Sequence, residues 1–123
     1  MFARIVALNA VPASGSVAAQ TGSVIDLSTW GTVNLSVQQN TPTLNAAGTA
    51  YLYVTNLADS TGNPTGWTQY LSTNLGGGTS NGTIPNVICH KWGQVRWADN
   101  GSSAAGSLVT VVLAASDRGT IKP

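Results

Sequence analysis

The sequence predicts an all-β protein, a single jelly-roll-like β-sandwich over residues 1–123 with about seven or eight antiparallel strands. Three observations predict it. Apolar and polar residues alternate with period two in several short windows, and no window sustains a helical period. Val, Thr, Tyr and Trp are plentiful while Glu is absent, which is a strand-forming composition. Fourteen glycines and five prolines are spread along the chain and cut it into short pieces.

The elements follow in order. Residues 2–9 read as a first strand beginning at the natural start Met. Their apolar run, Ile5 to Leu8, is broken by Asn9 and Pro12 and is too short for the core of a signal peptide. "SVIDLSTW" (23–30) is a strand candidate. "TVNLSVQ" (32–38) turns Val33, Leu35 and Val37 to one face. "TAYLYVT" (49–55) sets Ala50, Leu52 and Val54 against Tyr51 and Tyr53 on the opposite face. "GWTQYLS" (66–72) follows, and "PNVICHKW" then feeds "QVRWAD" as a strand that is whole or broken in two. "SLVTVVLAAS" (107–116) is apolar on nearly both faces, as a central strand covered on both sides would be. Between them, 40–48, 58–66, 76–82 and 99–106 are loops rich in Gly, Asn and Ser.

Composition excludes several functions. Charged residues are 7% of the chain, against a usual ~25%. Five Lys and Arg oppose four Asp, with no basic cluster to hold nucleic acid. No stretch approaches the ~18 apolar residues of a membrane-spanning helix. Solubility rests on hydroxyls and amides, and a weakly charged surface of this kind tolerates self-association.

Chemistry-bearing residues are few. "ICHKWGQVRWADNG" (88–101) holds the only Cys, the only His and two of the four Trp. A Cys89–His90 nucleophile and base pair is disfavoured, because adjacent strand residues face opposite ways. Cys89 reads as buried and inert, His90 as partly exposed. No nucleophile-elbow motif supports a Ser-His-Asp site, and paired carboxylates would have to come from Asp26, Asp59, Asp99 and Asp117. No catalytic residue, cofactor or metal is expected. "GGGTSNG" lacks the GK[ST] of a phosphate loop. The N-x-[ST] matches at Asn34, Asn81 and Asn100 are those a Ser/Thr-rich chain gives by chance. "LADSTGN" (57–63) carries one Asp and one Asn, which makes it a weak candidate for a calcium loop.

Within 88–101, strict alternation separates Trp92 from Trp97. A β-bulge at Gly93 would return Trp92, Val95 and Trp97 to the core and turn Gln94 and Arg96 outward. Asp99-Asn100-Gly101 then opens the turn into the last strand. The aromatic residues are either core and subunit anchors or a sugar-stacking platform. Tyr51 and Tyr53, opposite the aliphatic face of their strand, are read as facing a partner protein, a covering loop or a ligand, in that order.

The order "DLSTWGTVNLSVQ", "GTAYLYVTNLADSTGNPTGWTQY", "WGQVRWADNGSSAAGSLVTVVLAA", covering 26–115, resembles small β-sandwich virion proteins of tailed bacteriophages. That class comprises capsid decoration or cement proteins and some neck and tail components. The resemblance implies a jelly-roll or related sandwich, homo-oligomerisation, and binding to other virion proteins, the major capsid protein first. It implies no catalysis, and a virion location after assembly in the host cytoplasm. The Lys/Arg-poor, Glu-free composition departs from the pattern of that class and leaves open whether the partner is a charged capsid surface. Phe2, Arg4, Tyr51, Tyr53 and Arg96 are the expected interface residues. Residues 117–123 read as a flexible tail. Two alternatives stand: a carbohydrate-binding module on a fibre or adhesin, marked by coplanar Trp and Tyr rings, and a main coat protein, against which the near-neutral N-terminal segment argues.

Overall fold

The computed structural model describes residues 2–14, 20–41, 43–76 and 80–117. Among these the chain forms eleven strands: β1 (Phe2–Pro12), β2 (Ile25–Asp26), β3 (Trp30–Gln39), β4 (Gly48–Thr55), β5 (Leu57–Ala58), β6 (Pro64–Thr65), β7 (Thr68–Leu75), β8 (Ser80–Gly82), β9 (Asn86–Val87), β10 (Trp92–Asp99) and β11 (Leu108–Asp117). All pairing is antiparallel. One sheet runs β1-β11-β3, with β8 and β9 end to end along the far edge of β3. The other runs β2-β10-β4-β7, and β5 and β6 make a separate small hairpin.

The two large sheets are the layers of a sandwich, because their alternating apolar residues meet. From the first come Val33, Leu35, Val37, Val109, Val111, Leu113 and Ala115, and from the second Ala50, Leu52, Val54, Val95 and Trp97, all buried. This is the period-two pattern closing on itself: each strand buries one set of side chains and offers the other to solvent. Trp97 is the largest fully buried side chain, and its indole Nε1–H donates to the carbonyl of Ala13 at 2.9 Å.

Several expectations need correction. The strand expected over 23–30 shrinks to Ile25–Asp26. The Asp26 carboxylate accepts from the backbone N–H and the hydroxyl of Ser28, an Asx turn that ends the ladder and drops Leu27 into the core. The strand expected over 66–72 runs from Thr68 to Leu75. β11 is central, between β1 and β3, but covered on one face only: Val112 and Ala114 lie half-exposed on the outer face. The segment 86–99 is broken in two, with Ile88 tied to the carbonyl of Gly31 between β9 and β10. There Ile88 takes the inward position, so Cys89 is exposed rather than buried.

The bulge at Gly93 does not exist. β10 pairs with β4 without a register shift from Trp92 to Asp99, so Trp92 and Trp97 face opposite ways. Glycine stands at 93 for room: a Cβ there would lie 2.7 Å from Cδ1 of Leu27 and 3.2 Å from Cδ1 of Leu52. Gly101 does take positive φ (94°) in the turn into β11. Asp117, expected in the tail, pairs with Trp30 at the end of β11, and 118–123 lie outside the described residues.

The loop 58–63 is built around one carboxylate. Asp59 Oδ1 accepts from the Thr61 hydroxyl at 2.8 Å and from the Thr61 and Asn63 N–H groups at 2.9 Å each. The Thr61 hydroxyl, then the Asn63 and Thr61 amides, favour the ionised form and hold Asp59 below its ordinary value of 3.8. A depressed folded pKa contributes order that is present above 3.8 and lost as pH falls through the lower folded value. In an acid titration followed by amide NMR, the Thr61 and Asn63 resonances should therefore move together, below pH 3.8. Asp59→Ala should abolish that step and leave the two sheets intact.

Candidate functional site

The outer face of the second sheet gathers most of the functional side chains. On β4, Tyr51 and Tyr53 alternate with buried Ala50, Leu52 and Val54. On β10, Trp92, Gln94 and Arg96 alternate with buried Gly93, Val95 and Trp97. The register sets Gln94 opposite Tyr53, Arg96 opposite Tyr51, and Trp92 between Thr55 and Asp26. Two strands thus bring together three aromatic rings and a guanidinium from segments about forty residues apart, through the cross-strand pairing that antiparallel sheets impose.

Arg96 is held in place. Its Nε and Nη2 donate to Gln94 Oε1 at 3.2 and 3.0 Å, and Gln94 Nε2 donates to the carbonyl of Gly22 at 3.2 Å. The guanidinium carbon lies 4.0 Å from the ring centre of Tyr53. This chain of bonds freezes a long side chain before any partner arrives, which removes part of the ordering cost of binding. Tyr51 and Tyr53 stand 5.9 Å apart with planes tilted by 53°. Lys91 Nζ sits 5.2 Å from the Trp92 ring. At the rim, the Ser28 hydroxyl and amide keep Asp26 ionised and below the usual carboxylate value.

A second feature lies at one end of this sheet. β7 carries a bulge against β4, because Leu52 pairs with Leu71 but Tyr53 with Gln69, leaving Tyr70 as the extra residue. The bulge aims the Tyr70 hydroxyl at the carbonyl of Val87, to which it donates, and its ring at His90, with ring centres 5.5 Å apart. A groove of about 300 Å³ opens there, lined by Asn56, Leu57, Thr68, Gln69, Tyr70 and His90 among others. His90 Nδ1 is shut off from solvent and has no hydrogen-bond partner among the described residues.

Of the five residues expected at an interface, Tyr51, Tyr53 and Arg96 form one cluster. Phe2 and Arg4 do not join it: they lie on β1, at the edge of the other sheet, both exposed. Trp92, assigned to the core from sequence, lies on the same outer face as this cluster, against Lys91; strict alternation along 92–97 would have found it. The groove had no local signal, since it depends on contact between His90 and a tyrosine twenty positions away. Among the described residues no three His, Cys or Asp side chains come together as metal ligands, and no helix is long and apolar enough to cross a membrane. No family model, no curated protein and no solved structure matches the chain.

Proposed function

We propose that this chain is a non-enzymatic virion structural protein of a tailed bacteriophage, of the capsid decoration or cement type, which binds the head shell and its own copies. The observation that carries the reading is the preordered Tyr51–Tyr53–Trp92–Arg96 face. Aromatic residues and arginine supply most binding energy at protein interfaces, and they do so best when held rigid and partly covered. The face is poorly suited to stacking a flat sugar, because Arg96 already occupies the ring of Tyr53 and the two tyrosines are not coplanar. Strand order adds support. Taking β5–β6 as an excursion and β8 with β9 as one position, eight positions remain, and first pairs with eighth, second with seventh, third with sixth, fourth with fifth. That order is the one a long hairpin wrapped into two sheets would give, and it supports reading the sandwich as a jelly roll, the architecture of viral capsid and lectin domains. The analogy concerns fold and leaves function to the sites.

Mass spectrometry and cryo-electron microscopy of the source particles test the proposal: the chain should appear in many copies on the head. Arg96→Ala and Tyr53→Ala should each weaken co-sedimentation with heads about tenfold or more, the mark of a residue worth ~1.4 kcal/mol or more. A monomer absent from particles overturns the reading, and density on the neck or tail moves the partner away from the capsid protein. The second reading, a carbohydrate-binding module, draws on the His90–Tyr70 groove, whose lining holds no Asp, Lys or Arg and mixes an aromatic wall with amides. Binding on a glycan array that is lost in Tyr70→Ala would favour it.

A further inference from the structure

We infer that the outer edge of β1 is a self-association surface, on which a second copy of this chain adds its own β1 antiparallel about a two-fold axis at Ala3. The inference rests on the self-association part of the reading above and on no property of a virion.

β1 is eleven residues long and ends its sheet, pairing with β11 alone among the described residues. An exposed edge strand offers a row of backbone donors and acceptors to any other strand, and proteins usually blunt such edges with charge, proline or bulges. Here the proline and the irregularities are confined to one half, and the other half carries a single charge, Arg4. The register with β11 slips between Val6 and Leu8 and again between Leu8 and Val11. Ala10 has φ 50°, and Pro12 ends the strand. A Cβ on Gly22 would come within 2.8 Å of the Ala7 carbonyl oxygen, so the chain at Gly22 crowds that part of β1. Residues 2–6 have none of these: they pair with Ser116 to Val112 in unbroken register. Phe2 and Val6 are 71% and 42% exposed there, and Arg4 is the one charged residue of the strand. A regular, mostly apolar half-edge with one charge that can be matched across a pair is suited to pairing by strand addition.

Symmetry narrows the register. A two-fold axis normal to the sheet sets one residue opposite itself and keeps outward residues opposite outward residues. An axis at Arg4 would oppose two guanidiniums, which destabilises a pair. An axis at Ile5 would pair Ala3 with Ala7, inside the slipped and crowded half. An axis at Ala3 sets each Arg4 beside the exposed Phe2 ring of the other copy, a cation–π pair made twice.

Light scattering on size-exclusion chromatography tests this. The wild-type chain, 12.5 kDa, should elute as a dimer. Phe2→Lys, which creates two like-charge pairs in this register and touches no core, should give a monomer with an unchanged melting temperature. Val24→Lys, an exposed apolar residue outside β1, should remain dimeric. In a Cys89→Ser background, Ala3→Cys should be trapped as an intermolecular disulfide faster than Ile5→Cys. A wild-type monomer at about 100 μM, roughly the range of weak homodimers, overturns the proposal. So does a dimer indifferent to Phe2→Lys, including one broken instead by Arg96→Ala, and so does faster trapping at Ile5→Cys. Absence from virions would sink the functional reading while leaving a β1 dimer standing, so the two failures are distinguishable.

Discussion

Trp97→Ala should leave the protein largely unfolded at ambient temperature or on its margin. The side chain is fully buried and spans the space between the sheets. Truncating such a ring costs about 3–5 kcal/mol through lost transfer energy and the cavity left behind. The Ala13 carbonyl then loses the indole donor that satisfies it, and a buried acceptor left unpaired costs a further ~1–3 kcal/mol. Against a typical total of ~5–15 kcal/mol for a domain, that is most of the reserve. Trp97→Phe separates the two contributions: it keeps most of the ring volume and loses only the N–H, so its penalty should lie near the hydrogen-bond figure alone. Urea denaturation of both variants measures the difference. Equal penalties would mean that the Ala13 bond contributes nothing and that packing carries the whole effect.

What could be read from the sequence, and what could not, divides along the range of the interactions. Alternation is local, and it placed Val33, Leu35 and Val37 inward and Tyr51 and Tyr53 outward as observed. Local turn chemistry was equally legible: Gly101 adopts its positive φ where Asp-Asn-Gly asks for a turn. The Asx turn at Asp26-Leu27-Ser28 was just as local, and it marks where the strand expected over 23–30 had to stop. Gly93 shows the opposite case. A glycine inside a strand has two explanations, a bulge or a close neighbour. The neighbour is Leu27, sixty-six positions away and delivered by that Asx turn, so nothing within 88–101 could decide. The candidate face has the same character. That Gln94 and Arg96 point outward follows from alternation, but that they meet Tyr53 and Tyr51 depends on β10 pairing with β4 in one register out of several. Cys89 followed the preference of its residue type for burial until its neighbour Ile88 took the inward site.

Among the nine glycines whose surroundings the structure describes, Gly48→Ala should be the costliest substitution, and comparison with Gly93→Ala explains why. At 48 an added Cβ would lie 2.2 Å from the backbone oxygen of Ala98 and 2.7 Å from Cζ2 of Trp97. Neither can swing aside. The oxygen belongs to β10, paired along its whole length with β4, and the ring is the largest fully buried side chain of the core. At 93 the nearest atom, at 2.7 Å, is a terminal methyl of Leu27, which rotates about its own side-chain bonds. Overpacking a well-filled core costs about 1–3 kcal/mol where neighbours can adjust and more where they cannot. Gly93→Ala should fall inside that range and Gly48→Ala at or above its top, with denaturation midpoints in that order. The consequence reaches the functional face. Gly48 pairs with Asp99 at the end of the ladder that sets Arg96 against Tyr51, so pushing β4 and β10 apart there should disturb the Arg96–Tyr53 contact as well. A Gly48→Ala protein that still folds should bind its partner more weakly without any change on the binding face, whereas Gly93→Ala, absorbed by Leu27 on the inner side, should bind as the wild type does.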